Sequence, residues 1–275
     1  PCEMSAANYG GPQVNPAADW YNDWSSRTPL VTRYTLQTLT VLYMFSWFSS
    51  ASMALINIPY YTVFKFEIYR LILAPLFVDS FFSLLFIVIS FSSMGARLEY
   101  SIGSAQVLAL MGTLSLLTNL LFTFFCFLMA TFGTYEALFF QCQGFWGVLM
   151  GLIVIECLES PDGHRRLFFL PTPIPTKYYP LALFALFTMF GGFNLGMALS
   201  MAVGFAYQKG YLDMIKPNSA TIQRWEQGCL AQFTLRQNYI SASSAAGAGA
   251  WSMEAPSGDG AAASPFAGIF GGGGG

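Results

Sequence analysis

The sequence predicts an all-α, polytopic membrane protein built around a bundle of six transmembrane helices. Of its 275 residues, 55% are hydrophobic and only 9% are charged, whereas a soluble domain carries about 25% charged residues. The apolar residues gather into runs close to the ~20 residues that a helix needs to cross a bilayer. The basic residues fall mainly on one side of the membrane when six crossings are counted.

The composition also excludes several function classes. The net charge of −2 comes without a basic patch that carries interleaved aromatic residues, so nucleic-acid binding is not expected. The five cysteines show no Cys-x-x-Cys spacing, and we expect them to be small buried side chains rather than metal ligands. We therefore predict neither a metal nor a cofactor.

The chain divides into four segments by composition. Residues 1–33 are a polar N-terminal arm, 34–217 the membrane domain and 218–240 a polar juxtamembrane segment. Residues 241–275 form a tail rich in Gly, Ala and Ser, which we expect to be disordered because it has no core-forming pattern.

Six apolar runs make up the predicted membrane domain. They lie at about 34–56, 76–94, 105–129, 138–156, 180–190 and 193–212. A charged turn at 95–104 separates the second run from the third, and Gly191-Gly192 separates the fifth from the sixth. Runs two, five and six are near or below the ~20 residues that match a bilayer, so local thinning is expected.

The basic residues predict the orientation. Only Lys65 and Arg70 lie on one side of a six-span arrangement. The other side holds Arg27, Arg33, Arg97, Arg165, Arg166, Lys177, Lys209, Lys216, Arg224 and Arg236. The positive-inside rule then places both termini in the cytosol or its equivalent compartment.

The most informative motif is the segment SSMGARLEYSIGS at 92–104. It contains Gly-x-x-Leu-Glu-x-x-x-Gly-Ser, with Gly95, Leu98, Glu99 and Gly103 at the fixed positions. An aromatic-Arg pair, Tyr69-Arg70, precedes it in the connection after the first run. This order of elements resembles the rhomboid superfamily over roughly residues 20–217. The residues alone leave a second interpretation open, a solvated turn and an arginine that reaches lipid headgroups.

The segment GFWG at 144–147 takes its meaning from this resemblance. Active rhomboid proteases carry a nucleophilic serine in Gly-x-Ser-Gly at the start of the fourth helix. Here Gly144 and Gly147 match that pattern and Trp146 takes the serine position. An indole offers no nucleophile, so the tryptophan is expected to fill the space of an inactive site.

The resemblance implies two further catalytic elements, and neither is present. The family's histidine in the sixth helix is replaced by Met201, three residues before Gly204. The chain's one histidine, His164, lies in a loop, and the oxyanion-supporting His-x-x-x-Asn reads Ser83 to Ile87. We therefore predict that the protein is not an enzyme.

Among inactive rhomboid relatives, the ends of the membrane domain are similar to derlins. The segments DWYNDWSSRTPLVTRYTL and VGFAYQKGYLDMIKP carry this similarity. It implies a role in the endoplasmic reticulum, in moving misfolded proteins to a ubiquitin ligase and a cytosolic AAA ATPase. Phe266 and Gly268 in the tail form a candidate ATPase-docking motif. Rhomboid-like proteins that carry a ubiquitin-associated domain are an alternative subgroup.

A second function class stays open. An inactive rhomboid fold can serve as a structural accessory subunit of a large respiratory or photosynthetic complex in a mitochondrial or plastid membrane. The aromatic content of 17% fits extensive contact with lipid or protein. Polar residues within the runs either line a cleft for clients or, as we favour, form hydrogen bonds between helices. These residues are Ser115, Thr118, Asn119, Asn194 and Ser200.

Overall fold

A computed structural model describes residues 16–48, 54–159, 164–167, 170–236 and 238–246. Within these ranges the chain is mostly helical. The helices are α1 (Pro16–Arg27), α2 (Leu30–Ser46), α3 (Pro59–Phe64), α4 (Arg70–Leu73), α5 (Phe81–Ile102), α6 (Ser104–Thr131), α7 (Trp146–Glu159), α8 (Tyr179–Gly191), α9 (Leu195–Gln208), α10 (Ser219–Gln227), α11 (Ala231–Thr234) and α12 (Ala242–Ala246). Strands β1 (His164–Leu167) and β2 (Leu170–Pro175) form an antiparallel pair.

Each of the six apolar runs coincides with a helix, namely α2 and α5 to α9 in order. Helices α5 and α6 are long and apolar enough to cross a membrane, and α9 is a shorter apolar helix. The predicted break between runs five and six is confirmed, because α8 ends at Gly191 and Gly192 has a φ of +79°. Six crossings and the orientation of the termini stay predictions.

The predicted turn at 95–104 is wrong. Helix α5 continues to Ile102, and the chain reverses only at Gly103, whose φ is +92°. The helix can carry charge here because both charged side chains have partners. Arg97 pairs with Glu156 of α7 at 3.0 Å, and Glu99 is buried in a set of hydrogen bonds. The second run is therefore a helix of 22 residues and is not short.

Other boundaries also differ from the sequence prediction. The polar arm contains α1 and the beginning of α2, and the first run ends as a helix at Ser46. The fourth helix begins at Trp146 rather than near 138, because the strand-like pairing of Cys142 with Asn57 holds the chain before it extended. Residues 242–246 form α12 instead of a disordered start of the tail.

Helices α7 and α9 cross at the centre of the bundle. A Cβ atom on Gly204 would lie only 2.6 Å from the carbonyl oxygen of Gly151. The two backbones therefore touch, as small residues allow between membrane helices. Around this crossing the side chains of α7 from Val148 to Cys157 are all buried, whereas α2, α5 and α6 each bury only part of their side chains. Helix α7 is thus the central helix.

Candidate functional site at the head of helix α7

Trp146 is the first residue of α7, and Gly144 before it has a φ of +94°, which turns the chain into the helix. The indole Nε1–H donates a hydrogen bond to Ser83 Oγ at 2.7 Å. The ring packs against Phe187 of α8 with a centroid distance of 4.6 Å. The two positions that the resemblance assigns to the rhomboid nucleophile and to the start of the oxyanion motif are thus joined by a hydrogen bond.

Helix α9 contributes a serine to this site. Ser200 is fully buried, and its hydroxyl donates to the carbonyl oxygen of Gly147. Ser200, rather than the sequence-predicted Met201, therefore faces the head of α7. A methionine side chain cannot act as a base, and the Ser200 hydroxyl donates its hydrogen bond to a backbone carbonyl oxygen. His164, the histidine of the chain, lies in β1 beyond the other end of α7.

A small cavity remains beside Trp146. Its volume is about 30 Å³, and it is lined by residues of α6, α7, α9 and the segment before α7. A cavity of this size holds about one water molecule. Thr118 Oγ1 and Gln143 Oε1 are buried at its wall without a protein hydrogen-bond partner. The space therefore suits a water molecule bound to these two oxygen atoms.

Glu99 lies at the opposite end of α5, 16 residues from Ser83 or roughly 24 Å along the helix axis. Its carboxylate accepts bonds from Val31 N and Thr32 N at 2.8 Å each, from Thr32 Oγ1 at 2.9 Å and from Ser104 Oγ at 2.6 Å. Val31 and Thr32 belong to the first turn of α2, whose amide groups have no partner within the helix. Glu99 of α5 therefore caps the N-terminus of α2, and the dipole of α2 favours the negative charge of its carboxylate there.

Two glycines of the motif give Glu99 this position. A Cβ atom on Gly95 would lie 3.0 Å from Thr32 Oγ1, so a larger residue there would press on the hydroxyl that donates to Glu99. A Cβ atom on Gly103 would lie 3.1 Å from the Cα of Ala242. Leu98 is buried in the core beside them. The motif is thus a packing and capping element.

Arg70 is buried, not extended toward lipid headgroups. It donates to the carbonyl oxygen of Ile56 at 2.7 Å and pairs with Glu67. The guanidinium also lies over the rings of Tyr61 and Tyr69, at 5.3 and 5.8 Å from their centroids. Through these contacts, Arg70 holds together the segment that connects α2 with α5.

Polar residues of α6 bind the same connection. Ser115 Oγ and Asn119 Nδ2 both donate to the carbonyl oxygen of Leu71 at 3.1 Å. Asn57 Nδ2 donates to Asn119 Oδ1 at 3.0 Å. Ser115 and Asn119 thus join α6 to this connection through hydrogen bonds, and both also border the small cavity beside Trp146.

Sequence analysis missed the role of Asn238. Its side-chain amide donates to the carbonyl oxygens of Ser25, Ser26 and Thr28 at 2.9, 2.7 and 3.2 Å. The backbone carbonyl oxygen of Asn238 accepts a hydrogen bond from Leu30 N at 3.1 Å. The φ of +69° at Asn238 suits asparagine, but no local pattern in the sequence identifies such a position. A segment after the last apolar run therefore fastens α1 to α2.

The neighbouring residues extend this attachment to the Glu99 cluster. Ile240 N donates to Ser104 Oγ at 3.0 Å, and Ser104 N donates to Ile240 O at 2.9 Å. Tyr239 donates to Glu226 Oε1 at 2.9 Å. Burial raises the pKa of the Tyr239 phenol above its usual value, and the hydrogen bond to Glu226 raises it further. Residues 238–240 are thus part of the folded unit.

The predicted site residues therefore form three groups. Gly144, Trp146 and Gly147 lie together at the head of α7, where Gly147 meets Ser200 of α9, and Gly204 lies about one turn further along α9. The Glu99 group and the Arg70 group occupy separate places. Phe266 and Gly268 lie outside the described residues.

Comparison with known proteins gives one informative match. No family model matches the chain. The chain is 27% identical to "Rhomboid-like protein 15" of Arabidopsis thaliana over 225 residues, which cover 79% of this chain and 56% of the relative. The chain thus spans little more than half the length of that relative. Together with the apolar helices, this similarity supports a membrane protein of the rhomboid superfamily.

Proposed function

We propose that the protein is a non-catalytic rhomboid-like membrane protein that binds other membrane proteins without cleaving them. The observation that carries this proposal is the hydrogen bond between Trp146 and Ser83. It uses the two positions that a rhomboid protease needs for its nucleophile and for oxyanion stabilisation. Covalent catalysis needs a nucleophile activated by an adjacent base. The two serine hydroxyls at the head of α7 are instead bonded to the Trp146 indole and to the carbonyl oxygen of Gly147, which supports the proposal.

The finer role that we propose is derlin-like, in the quality control of misfolded proteins in the endoplasmic reticulum membrane. Helices α7, α8 and α9 have 14, 13 and 14 residues, which corresponds to about 20–21 Å of helix length. The hydrocarbon core of a bilayer is about 30 Å thick. Short helices favour local thinning of the bilayer, which lowers the cost of moving polar segments of a client across it.

A fluorophosphonate probe, which reacts with activated serines, tests the absence of catalysis. We expect the purified full chain to stay unlabelled beside an active rhomboid protease as the positive control. A Trp146→Ser variant should also stay unlabelled, because it restores a hydroxyl without a base. Labelling of the native chain that disappears in a Ser200→Ala variant would refute the proposal.

The cellular role is tested by purification of the tagged chain in mild detergent with quantitative mass spectrometry. Substoichiometric ubiquitin ligase and AAA ATPase are expected for the derlin-like role. A fixed one-to-one set of subunits of a respiratory or photosynthetic complex would refute that role and support the accessory-subunit alternative.

A further inference from the structure

An apolar groove lies between α1 and the outer faces of α2 and α5. Its volume is about 390 Å³, within the range of about 300–1,000 Å³ that is usual for small-molecule sites. Trp20, Tyr21 and Trp24 of α1 form its roof, and its walls include Val41 of α2 and Val88 of α5. It is well separated from the small cavity beside Trp146, with which it shares no lining residue.

The roof is a built structure. The rings of Trp20 and Trp24 stack with centroids 6.5 Å apart, and Tyr21 packs against Trp24 at 6.1 Å. Gln37 Nε2 of α2 donates to the Tyr21 hydroxyl at 2.6 Å, which fixes α1 over the groove. Asn238 holds the other end of α1 through the carbonyl of Ser25.

The groove has a polarity gradient along its length. Helix α5 runs antiparallel to α2, since Glu99 near its end caps the first turn of α2. Gln37 and Ser92 therefore lie nearer the start of α2, and Val41 and Val88 lie further from it. Thr40 lies beside Val41, but its hydroxyl is used in a bond to the carbonyl oxygen of Leu36 at 2.9 Å. The aromatic roof is typical of the membrane interface. The available polar groups thus lie toward one end of the groove and apolar groups toward the other.

We propose that this groove binds one acyl chain of a membrane glycerophospholipid, with the ester region beside Trp20 and Gln37. The indole N–H and amide groups there can donate to ester carbonyl oxygens. The acyl chain would run along the groove walls toward Val41, which is 65% exposed.

Photo-crosslinking tests this site. The full chain is reconstituted into phosphatidylcholine nanodiscs that contain a phosphatidylcholine with a diazirine in one acyl chain, and the labelled peptides are mapped by mass spectrometry. We expect the groove residues of α1, α2 and α5 to be labelled about tenfold more than the exposed face of α6, a ratio that corresponds to 1.4 kcal/mol.

Filling the groove supplies the matched comparison. Val41→Trp and Ile89→Trp fill it from opposite walls and should each reduce labelling of α1 about tenfold. Leu120→Trp on α6, where the native side chain is 50% exposed, should leave it unchanged. Equal labelling of the groove and of α6, or labelling of α1 that neither groove variant reduces, would overturn the proposal.

Discussion

At the head of α7, Trp146 joins three helices through one side chain. Its ring packs on α8, its N–H bonds Ser83 of α5, and its backbone begins α7. Tryptophan suits such a place because its large apolar surface fills space while its N–H needs one acceptor. The residue that we propose takes the place of the nucleophile therefore also stabilises the site.

Replacement of Trp146 by phenylalanine separates these contributions. The contact with Phe187 is kept and the bond to Ser83 is lost, so the free energy of unfolding should fall by about 1 kcal/mol. Thermal unfolding in detergent measures the change. Trp225→Phe, at a partly exposed position of α10, is the control and should change little. Equal shifts in the two variants would show that the bond to Ser83 contributes nothing.

Glu99 is the second residue on which the fold depends. Glu99→Gln keeps the size of the side chain but turns an amide NH2 toward a ring of donors. The bonds of a charged acceptor contribute about 1.5–3 kcal/mol, and we expect a loss of that order in the free energy of unfolding. Glu136→Gln at an exposed carboxylate is the matched control. A shift no larger than that of the control would contradict the capping role.

Among the elements, the contact between α7 and α9 depends on bare backbone. Gly204→Ala places a methyl group 2.6 Å from the carbonyl oxygen of Gly151, and such overpacking costs about 1–3 kcal/mol. Gly112→Ala on α6 meets no atom within 4 Å and should be neutral or stabilising, because alanine favours helix. Chemical unfolding measures the change in the free energy of unfolding for both variants. Equal changes would mean that α7 and α9 can move apart without cost.

The sequence predicts elements better than their connections. Apolar runs locate α6, α8 and α9 because their length and composition are local properties. The end of α5 is not predictable in this way, since Arg97 and Glu99 look like a turn until their partners on α7 and α2 are known. Asn238 and Ser200 are likewise defined by distant carbonyl groups. The assignment of Trp146 to the position of a catalytic serine rests on the resemblance to rhomboid proteases, whereas its bond to Ser83 required the structure.

For the whole molecule, the unequal helix lengths matter most. Helix α6 has 28 residues, about 42 Å long, whereas α8 has 13 and is about 20 Å long. In the predicted six-span arrangement, α6 can fit a thin bilayer by tilting, whereas α8 is too short to fit a thick one. We expect the protein to unfold at a higher temperature in nanodiscs of short-chain lipids than in those of long-chain lipids.

A variant with a longer α8 supplies a second comparison. Insertion of four alanines after Leu186 adds about one turn and should weaken the preference for thin bilayers. A native protein whose unfolding temperature is the same in thin and thick bilayers would contradict the expected thinning.

The most direct test of a rhomboid-like protein that binds without cleaving is a reconstitution that follows both events together. The full chain is placed in liposomes with a fluorescent single-span reporter whose helix is destabilised by polar residues. Intact reporter should be retained with the protein, and its fragments should stay at the level of protein-free liposomes. Reporter cleaved above that level, with cleavage lost in Ser200→Ala, would contradict the account.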